Sequence, residues 1–318
     1  MGSAQTPAYQ YVRTGSATDR GAQPQPGFAL MGGGADLDEA FRFLCQRAGG
    51  GDFLVLRSHG NGEYNSYIQK LCPLNSVATI IIPSRAAADD PLVAAKIREA
   101  SGIFIAGGDQ ANYIDFWMGT PVQAELNGAI ARGVPIGGTS AGLAVLGEYA
   151  YSAQGDKPND PNLDGKTAIA DPFGPRITLV RGFLDIPVLK SIVTDTHFAK
   201  RNRMGRLLVF LARLNAANTA PSGVRFRGIG VEERAAVLLE SDGRSTVVGH
   251  GDAYFVDIAK AAGVLVEGKA LTFGPFAVQK VAPSHSFSVK EWHGDGTTYM
   301  LTVENGAIHS TQPGGAIY

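Results

Sequence analysis

The chain has 318 residues, of which 44% are hydrophobic and 18% charged, a composition typical of a globular protein long enough to bury a large core. Its 28 Lys and Arg residues nearly balance its 29 Asp and Glu residues, so its charge gives no electrostatic reason to expect nucleic acid or an anionic membrane as a partner. No apolar run in the sequence approaches the roughly 18 residues needed to cross a bilayer.

Residues 1–26 are rich in Gln, Thr, Ser, Pro, Gly and Ala and lack the apolar segment of a signal peptide. We expect an extended tail that Tyr9, Tyr11 and Val12 anchor on the core. The start Met1-Gly2-Ser3 is compatible with an artificial start in place of a removed signal sequence. A secreted or periplasmic protein is therefore the favoured interpretation, and a cytoplasmic one is the alternative.

From Phe28 onward, short apolar runs alternate with amphipathic stretches, which is the pattern of βαβ units. A helix begins near Asp36 or Asp38, and three more helices are predicted at 64–71, 91–100 and 121–131. The predicted strands are 28–31, 53–56, 77–82, 103–106 and 134–136. These elements predict a mostly parallel sheet flanked by helices, with ligands bound at the carboxyl ends of its strands.

After about residue 225 the predicted strands are joined by turns instead of helices, which indicates antiparallel β structure packed on the main sheet. Seven strands are predicted there: 228–239, 245–248, 253–256, 271–273, 287–290, 299–303 and 307–310. The sequence therefore predicts an N-terminal tail (1–26), an α/β catalytic domain (27–270) and a C-terminal β extension (271–318).

The segment Gly138-Thr139-Ser140-Ala141-Gly142 has the G-x-S-x-G pattern of a nucleophile elbow, in which a serine lies on a tight turn between a strand and a helix. The strand at 134–136 and the helical run at 143–146 supply that context. The amide of Ala141 would then face a developing oxyanion. An ordinary serine in a glycine-rich turn at a helix start is the alternative.

A second glycine-rich turn, Gly107-Gly108-Asp109-Gln110, follows the neighbouring predicted strand. Because the carboxyl ends of parallel strands meet at one edge of a sheet, we expect it to lie beside Ser140. The amide of Gly108 would then be a second oxyanion donor, and Gln110 would hold a substrate group. A turn that needs glycine only for a positive φ is the alternative.

His197 is the best candidate for the general base among the six histidines. It follows the strand-like segment 189–193 and precedes a helix through 207–211, so it would lie level with Ser140 at the sheet edge. His59, in a turn after the second strand, is the alternative.

An acid should orient the imidazole of that base. The sequence offers Asp156 and Asp160, which lie between Ser140 and His197, and Asp195, which alternatively caps the following helix. The residues alone leave this choice open.

Three arginines follow His197 in the sequence: Arg201, Arg203 and Arg206. Arg203 and Arg206 are three residues apart and share one face of a helix. Guanidinium groups bind carboxylates bidentately, so the cluster suits an acidic substrate. A solvated basic face is the alternative, which we favour for the cluster taken alone.

The two cysteines, Cys45 and Cys72, have no metal-type spacing. Two separate buried thiols are slightly favoured. A disulfide, which requires an oxidising compartment, is the alternative.

Taken together, these motifs resemble those of the cyanophycinase family of serine peptidases, which is similar to the aspartyl dipeptidases. The resemblance covers roughly residues 27–258 and includes Gly228-Ile229-Gly230-Val231-Glu232, similar to a core strand of that family. It rests on three segments in this order: Gly107-Gly108-Asp109-Gln110, Gly137-Gly138-Thr139-Ser140-Ala141-Gly142, and Asp195-Thr196-His197-Phe198 with the arginines after it.

The resemblance implies a flavodoxin-like core close to the class I amidotransferase fold, and a serine exopeptidase that uses no metal or cofactor. It implies Ser140 as nucleophile and His197 as base, and we select Asp156 as the acid. Oxyanion donors would lie at Gly108 and Ala141. The substrate pocket would contain these residues: Gln110, Asp195, Thr196, Arg201, Arg203 and Arg206.

Implied substrates are cyanophycin, a poly-aspartate with arginine on its side chains, or short aspartyl peptides. Thr196 stands where the family usually has Gln, which alters the expected pocket. A homodimer is one open possibility for assembly. Two alternative functions remain: an amidase or esterase for a non-peptide substrate, and a binding protein with an inactive elbow.

Overall fold

The computed structural model describes residues 8–156, 162–217 and 225–318. The strands of these ranges, in chain order, are β1 (Gln10–Gly15), β2 (Gly27–Met31), β3 (Asp52–Arg57), β4 (Ser76–Ile81), β5 (Gly102–Ile105), β6 (Ile136–Thr139), β7 (Tyr149–Tyr151), β8 (Leu179–Arg181), β9 (Ile192–Asp195), β10 (Arg227–Val231), β11 (Ala235–Glu240), β12 (Arg244–Gly249), β13 (Ala253–Val264), β14 (Thr272–Val281), β15 (Ser286–Ser288), β16 (His293–Gly294), β17 (Thr297–Glu304) and β18 (Ala307–Ser310).

The helices of the same ranges are α1 (Asp38–Arg47), α2 (Glu63–Leu71), α3 (Arg85–Ala88), α4 (Pro91–Glu99), α5 (Gln110–Trp117), α6 (Pro121–Ala131), α7 (Ala141–Ala144), α8 (Gly165–Ala170) and α9 (Met204–Ala216). Pro91 and Pro121 each occupy a first helical position, where a missing N–H costs no intrahelical hydrogen bond. Among the described helices, none is long and apolar enough to cross a membrane.

The first sheet has the strand order β1-β4-β3-β5-β6-β2-β11-β12-β15-β16. Its five central strands, β4 to β2 in that order, are parallel. Antiparallel strands extend both sides: β1 pairs with β4, and β11 pairs with β2. The predicted parallel sheet is thus present within a larger, mixed α/β sheet, and part of the predicted tail forms its edge strand.

The flavodoxin-like arrangement implied by the resemblance is not confirmed. A flavodoxin-like sheet has the order 2-1-3-4-5. Here β4-β3-β5-β6 follow the first four positions of that order, but the fifth position is taken by β2, the earliest parallel strand in the chain.

The second sheet has the strand order β18-β17-β14-β13-β10-β9-β7-β8. Strands β7, β9 and β10 are parallel, and the remaining pairs are antiparallel. The predicted boundary at residue 270 falls in the link between the paired strands β13 and β14. Several strands after that boundary therefore extend the sheet that contains the histidine strand β9.

Within the described ranges, the core has three apolar clusters that follow this layering. The first contains residues from both sheets and from α4, α5 and α6, including Ile105, Trp117 and Phe255. The second packs α9 on the second sheet. The third packs α1 and α2 on the first sheet, where Phe41 contacts Phe104.

The third cluster also contains a disulfide between Cys45 and Cys72. It joins α1 to the residue that ends α2. The favoured prediction of two separate thiols was therefore wrong. Spacing alone could not reveal the pairing, because it depends on two helices packing side by side on one sheet face.

Candidate active site

Ser140 lies on a tight turn between β6 and α7, with φ 52° and ψ −117°. A non-glycine residue rarely adopts such a backbone conformation, which is typical of a strained functional turn. A Cβ on Gly138 would lie 2.5 Å from the Gly142 backbone, and one on Gly142 would lie 2.0 Å from the Ile105 carbonyl oxygen. Both glycines are therefore required by close backbone approach.

The Ser140 Oγ lies 2.7 Å from His197 Nε2, and His197 Nδ1 lies 2.7 Å from Glu233 Oε1. His197 follows the carboxyl end of β9, and Glu233 follows the carboxyl end of β10. Because β9 and β10 are parallel neighbours, their ends bring the imidazole and carboxylate together. The three side chains thus form a continuous serine–histidine–glutamate chain.

The surroundings of His197 favour a neutral imidazole whose Nε2 can accept a proton. Burial lowers the pKa of His197, while the hydrogen bond that its Nδ1 donates to Glu233 opposes that shift. The same hydrogen bond holds the pKa of Glu233 below its usual range. With the Nδ1 proton donated to Glu233, Nε2 can accept the proton of the Ser140 hydroxyl.

The predicted acid Asp156 does not bond to His197. Its Oδ1 instead accepts a hydrogen bond from Arg176 at 3.0 Å, and Asp195 accepts a bidentate pair of hydrogen bonds from Arg206. Asp160 lies outside the described residues. The acid in contact with the imidazole is Glu233, so the choice of Asp156 is corrected.

Sequence reasoning missed Glu233, although a signal was present. The segment Gly228-Ile229-Gly230-Val231-Glu232, read as a core strand, ends one residue before it. Treating that strand as a parallel neighbour of the histidine strand would have placed its next residues at the same sheet edge. His59, the alternative base, lies in a turn with its Nδ1 3.2 Å from Ser58 Oγ.

The turn formed by Gly32, Gly33 and Gly34 lies directly beneath the imidazole. The Gly32 carbonyl accepts a hydrogen bond from the His197 backbone N–H at 2.7 Å. Gly33 has a φ of 97°, and a Cβ there would lie 2.4 Å from His197 Cε1. The absence of a side chain at Gly33 therefore makes room for the imidazole.

The second glycine-rich turn lies next to Ser140, because β5 and β6 are parallel neighbours. A Cβ on Gly107 would be 3.5 Å from Ser140 Cβ. Gly108, Gln110 and Ala141 border the same cleft as Ser140. The predicted meeting of the two turns is therefore present in the structure.

This cleft has a volume of about 500 Å³, and Arg201, Arg203 and Arg206 all line it. Arg206 is fully buried and bonded to Asp195, so the solvated-face interpretation fails for it and for the buried Arg203. Arg203 donates to the carbonyl and hydroxyl oxygens of Thr196 and to Asn162 Oδ1.

The charge of Arg203 is poorly compensated. Its hydrogen-bond acceptors are neutral, and the nearby carboxylate of Asp195, 3.8 Å away, is shared with Arg206. Burial, followed by repulsion from Arg206, lowers the pKa of Arg203 to about 9, so the group stays charged at neutral pH. An anionic ligand group would relieve this excess of positive charge.

The cleft also holds two buried oxygens without a hydrogen-bond partner, the Tyr151 hydroxyl and Asp156 Oδ2. Burial, followed by the nearby Asp156 carboxylate, raises the pKa of Tyr151 above its ordinary value. Asp109 and Asp115 line the cleft as well. The cleft thus presents positive and negative groups close to one serine.

Comparisons with known proteins show which families this chain resembles. The model of peptidase family S51 matches residues 63–170. A cyanophycinase from Synechococcus elongatus is 28% identical over 240 residues, which cover 71% of this chain and 66% of that protein. A cyanophycinase from Trichormus variabilis is 29% identical over 184 residues, which cover 57% of this chain and 53% of that protein. The matches thus span less than two thirds of the length of either relative.

Among solved structures, a peptidase from an acI-B1 Actinobacterium superposes with a TM-score of 0.52 at 17% identity, over 84% of this chain and 98% of that one. This likeness shows a shared fold. The family match and the curated relatives confirm the expected resemblance to the cyanophycinases. The chain is therefore similar to peptidase family S51 over residues 63–170 and to the cyanophycinases.

Proposed function

We propose that this protein is a serine exopeptidase that cleaves cyanophycin or related aspartyl peptides through an acyl-enzyme on Ser140. The observation that carries the proposal is the pair of 2.7 Å contacts joining Ser140, His197 and Glu233. A serine beside a base, with that base held by an acid, is the general arrangement of nucleophilic acyl transfer.

In the first step, Ser140 Oγ attacks the substrate carbonyl carbon while His197 Nε2 takes the hydroxyl proton. Glu233 stabilises the imidazolium that forms, and backbone amides at Gly108 and Ala141 hold the oxyanion. As the carbon–nitrogen bond breaks, His197 gives its proton to the leaving amine. Water then attacks the ester, with His197 again as base, and the acid product and free Ser140 result.

The charges of the cleft support a substrate with both an acidic and a basic group. The guanidinium of Arg203, which shares the Asp195 carboxylate with Arg206, suits a substrate carboxylate. The unpartnered oxygens of Tyr151 and Asp156 suit an N–H donor such as a guanidinium. Cyanophycin, after which the curated relatives are named, carries both groups.

Thr196, in place of the usual family Gln, uses its hydroxyl to accept a hydrogen bond from Arg203. We propose that it acts on the substrate through Arg203 and leaves a larger pocket than glutamine would. The steps above need a nucleophile, a base and oxyanion donors, and they involve no cofactor. The partner we propose is a peptide or polymer substrate, with a homodimer as one possible assembly.

We also propose an exported location, secreted or periplasmic. The disulfide between Cys45 and Cys72 supports it, because disulfides persist mainly in oxidising compartments.

The test is to incubate the protein with insoluble cyanophycin and with a panel of α- and β-aspartyl peptides, and to identify products by mass. We expect release of short aspartyl products, with Ser140→Ala as the inactive control. Hydrolysis of p-nitrophenyl esters without any peptide cleavage would contradict the proposal and favour an esterase. Full activity in Ser140→Ala would rule out the serine mechanism.

A further inference from the structure

Three aromatic rings pack together behind the base. Phe198, which directly follows His197, is fully buried, and its ring centroid lies 5.4 Å from that of Tyr254 and 6.0 Å from that of Tyr318. The Tyr254 and Tyr318 centroids are 5.8 Å apart. Gly230 makes room for this cluster, since a Cβ there would lie 2.5 Å from the Phe198 ring.

The cluster is also connected to the turn that carries the acid. The Tyr254 hydroxyl donates to Glu232 Oε1 at 3.1 Å, and the Asp252 backbone N–H donates to Glu232 Oε2 at 3.3 Å. Glu232 immediately precedes Glu233. Tyr254 therefore packs on Phe198, in the turn that carries His197, and bonds Glu232, in the turn that carries Glu233.

Tyr318 closes the cluster and is held firmly itself. Its hydroxyl accepts a hydrogen bond from the Met204 backbone N–H at 2.9 Å and donates to Asn202 Oδ1 at 3.2 Å. The carbonyl of the preceding Ile317 accepts a hydrogen bond from the Tyr299 hydroxyl at 2.7 Å. Tyr318 thus links the turn after His197, the start of α9 and the C-terminal strands of the second sheet.

We propose that Phe198, Tyr254 and Tyr318 form an aromatic brace that fixes the His197 turn and the Glu233 turn relative to each other. Tyr318 is then a positioning residue for the reaction, although its ring contacts neither Ser140 nor His197 in the contacts described. This gives the C-terminal strands a functional role. The inference rests on the proposed function only where it predicts kcat and KM. The prediction for the His197 imidazole pKa does not depend on turnover.

The test compares Tyr318→Ala, which removes the ring, with Tyr318→Phe, which removes only the two hydroxyl bonds. Tyr67→Ala is the matched control, because Tyr67 is a partly buried tyrosine that packs on Phe41 in another cluster and bonds Asp38. Each variant is assayed for kcat and KM, for thermal unfolding, and for the His197 imidazole pKa by NMR.

For Tyr318→Ala we expect kcat to fall roughly 10- to 100-fold with KM little changed, as for a misplaced catalytic group. We also expect the His197 pKa to rise, because water reaching a loosened imidazole relieves the burial that lowers it. Tyr318→Phe should shift both readouts in the same direction by less. The control should lose stability only.

The brace is refuted if Tyr318→Ala matches Tyr67→Ala in both kcat and imidazole pKa. Should Tyr318→Ala not fold, an unchanged imidazole pKa in Tyr318→Phe refutes it instead. The NMR readout needs no turnover, so it tests the brace even when the wild type cleaves none of the peptides, an outcome that would defeat only the proposed function.

Discussion

Ser140 is held in a backbone conformation that costs a non-glycine residue about 1–3 kcal/mol, and the surrounding turn must supply that energy. Gly138 and Gly142 allow it because they let the backbones of β6, α7 and β5 pass without clash. His197 also has a positive φ of 47°, so the proposed nucleophile and the proposed base both have unusual backbone conformations. The contact between these two side chains thus depends on backbone conformations that few non-glycine residues adopt.

Glu233 is expected to matter far more to the reaction than Asp156. Glu233→Gln should lower kcat roughly 10³- to 10⁴-fold, because the amide neither stabilises the imidazolium nor fixes its tautomer. Asp156→Asn should leave kcat within a few-fold and change KM for basic substrates. Steady-state kinetics of the two variants decides between the acids. Equal losses in kcat would contradict the assignment of Glu233.

The pH dependence follows from the lowered pKa of His197. Only the neutral imidazole can take a proton, so kcat/KM should fall as the pH is lowered through the pKa of His197. The midpoint of this fall should lie below pH 6.5, the ordinary histidine value. Glu233→Gln should move this fall to still lower pH, since the carboxylate raises the imidazole pKa. A pH–rate profile with its midpoint at or above 6.5 would count against the buried neutral base.

At the scale of elements, the sequence predicts the five parallel strands and four of the helices between them, because apolar periodicity and capping residues are local signals. It does not predict the short helices α3 and α5. It also predicts that Ser140 and His197 meet, since both follow strands. It does not reveal Glu233 or the disulfide, because each depends on pairing between distant segments, β9 with β10 and α1 with α2. The antiparallel strands of the second sheet are predicted only as β structure, without their order.

Gly33 tests whether the turn after β2 is needed to make room for the His197 imidazole. Gly33→Ala should lower kcat/KM by roughly 100-fold, because its Cβ would lie 2.4 Å from His197 Cε1 and displace the imidazole. Gly268→Ala is the control: its φ of 73° imposes similar backbone strain of about 1–2 kcal/mol, but nothing lies within 4 Å of its Cβ. Kinetics and unfolding are measured together. Similar kinetics in both variants would show that strain alone explains any loss.

At the scale of the whole molecule, two mixed sheets share one core, and the site lies where both contribute strand ends. Ser140 and the glycine turns come from the first sheet, whereas His197 and Glu233 follow strands of the second. The relative position of the sheets therefore decides whether the 2.7 Å contacts exist. This arrangement explains why packing far from Ser140, such as the aromatic brace, can influence the reaction.

The disulfide lies in the apolar cluster between α1, α2 and the first sheet. Replacing both Cys45 and Cys72 by Ser should lower the free energy of unfolding by about 3–4 kcal/mol, the value for closing a loop whose ends are 27 residues apart. Denaturant unfolding measures this, and kcat at 25 °C should stay close to wild type. A large loss of kcat in the folded variant would mean that α1 and α2 also position the site.

The central claim is that Ser140 is a nucleophile activated through His197 and Glu233. The most direct measurement is the intact mass of the protein after reaction with a serine-directed fluorophosphonate, followed by peptide mapping. We predict one adduct, located on Ser140, absent in Ser140→Ala and formed much more slowly in Glu233→Gln. Labelling that persists in Ser140→Ala, or that maps to another residue, would contradict the claim.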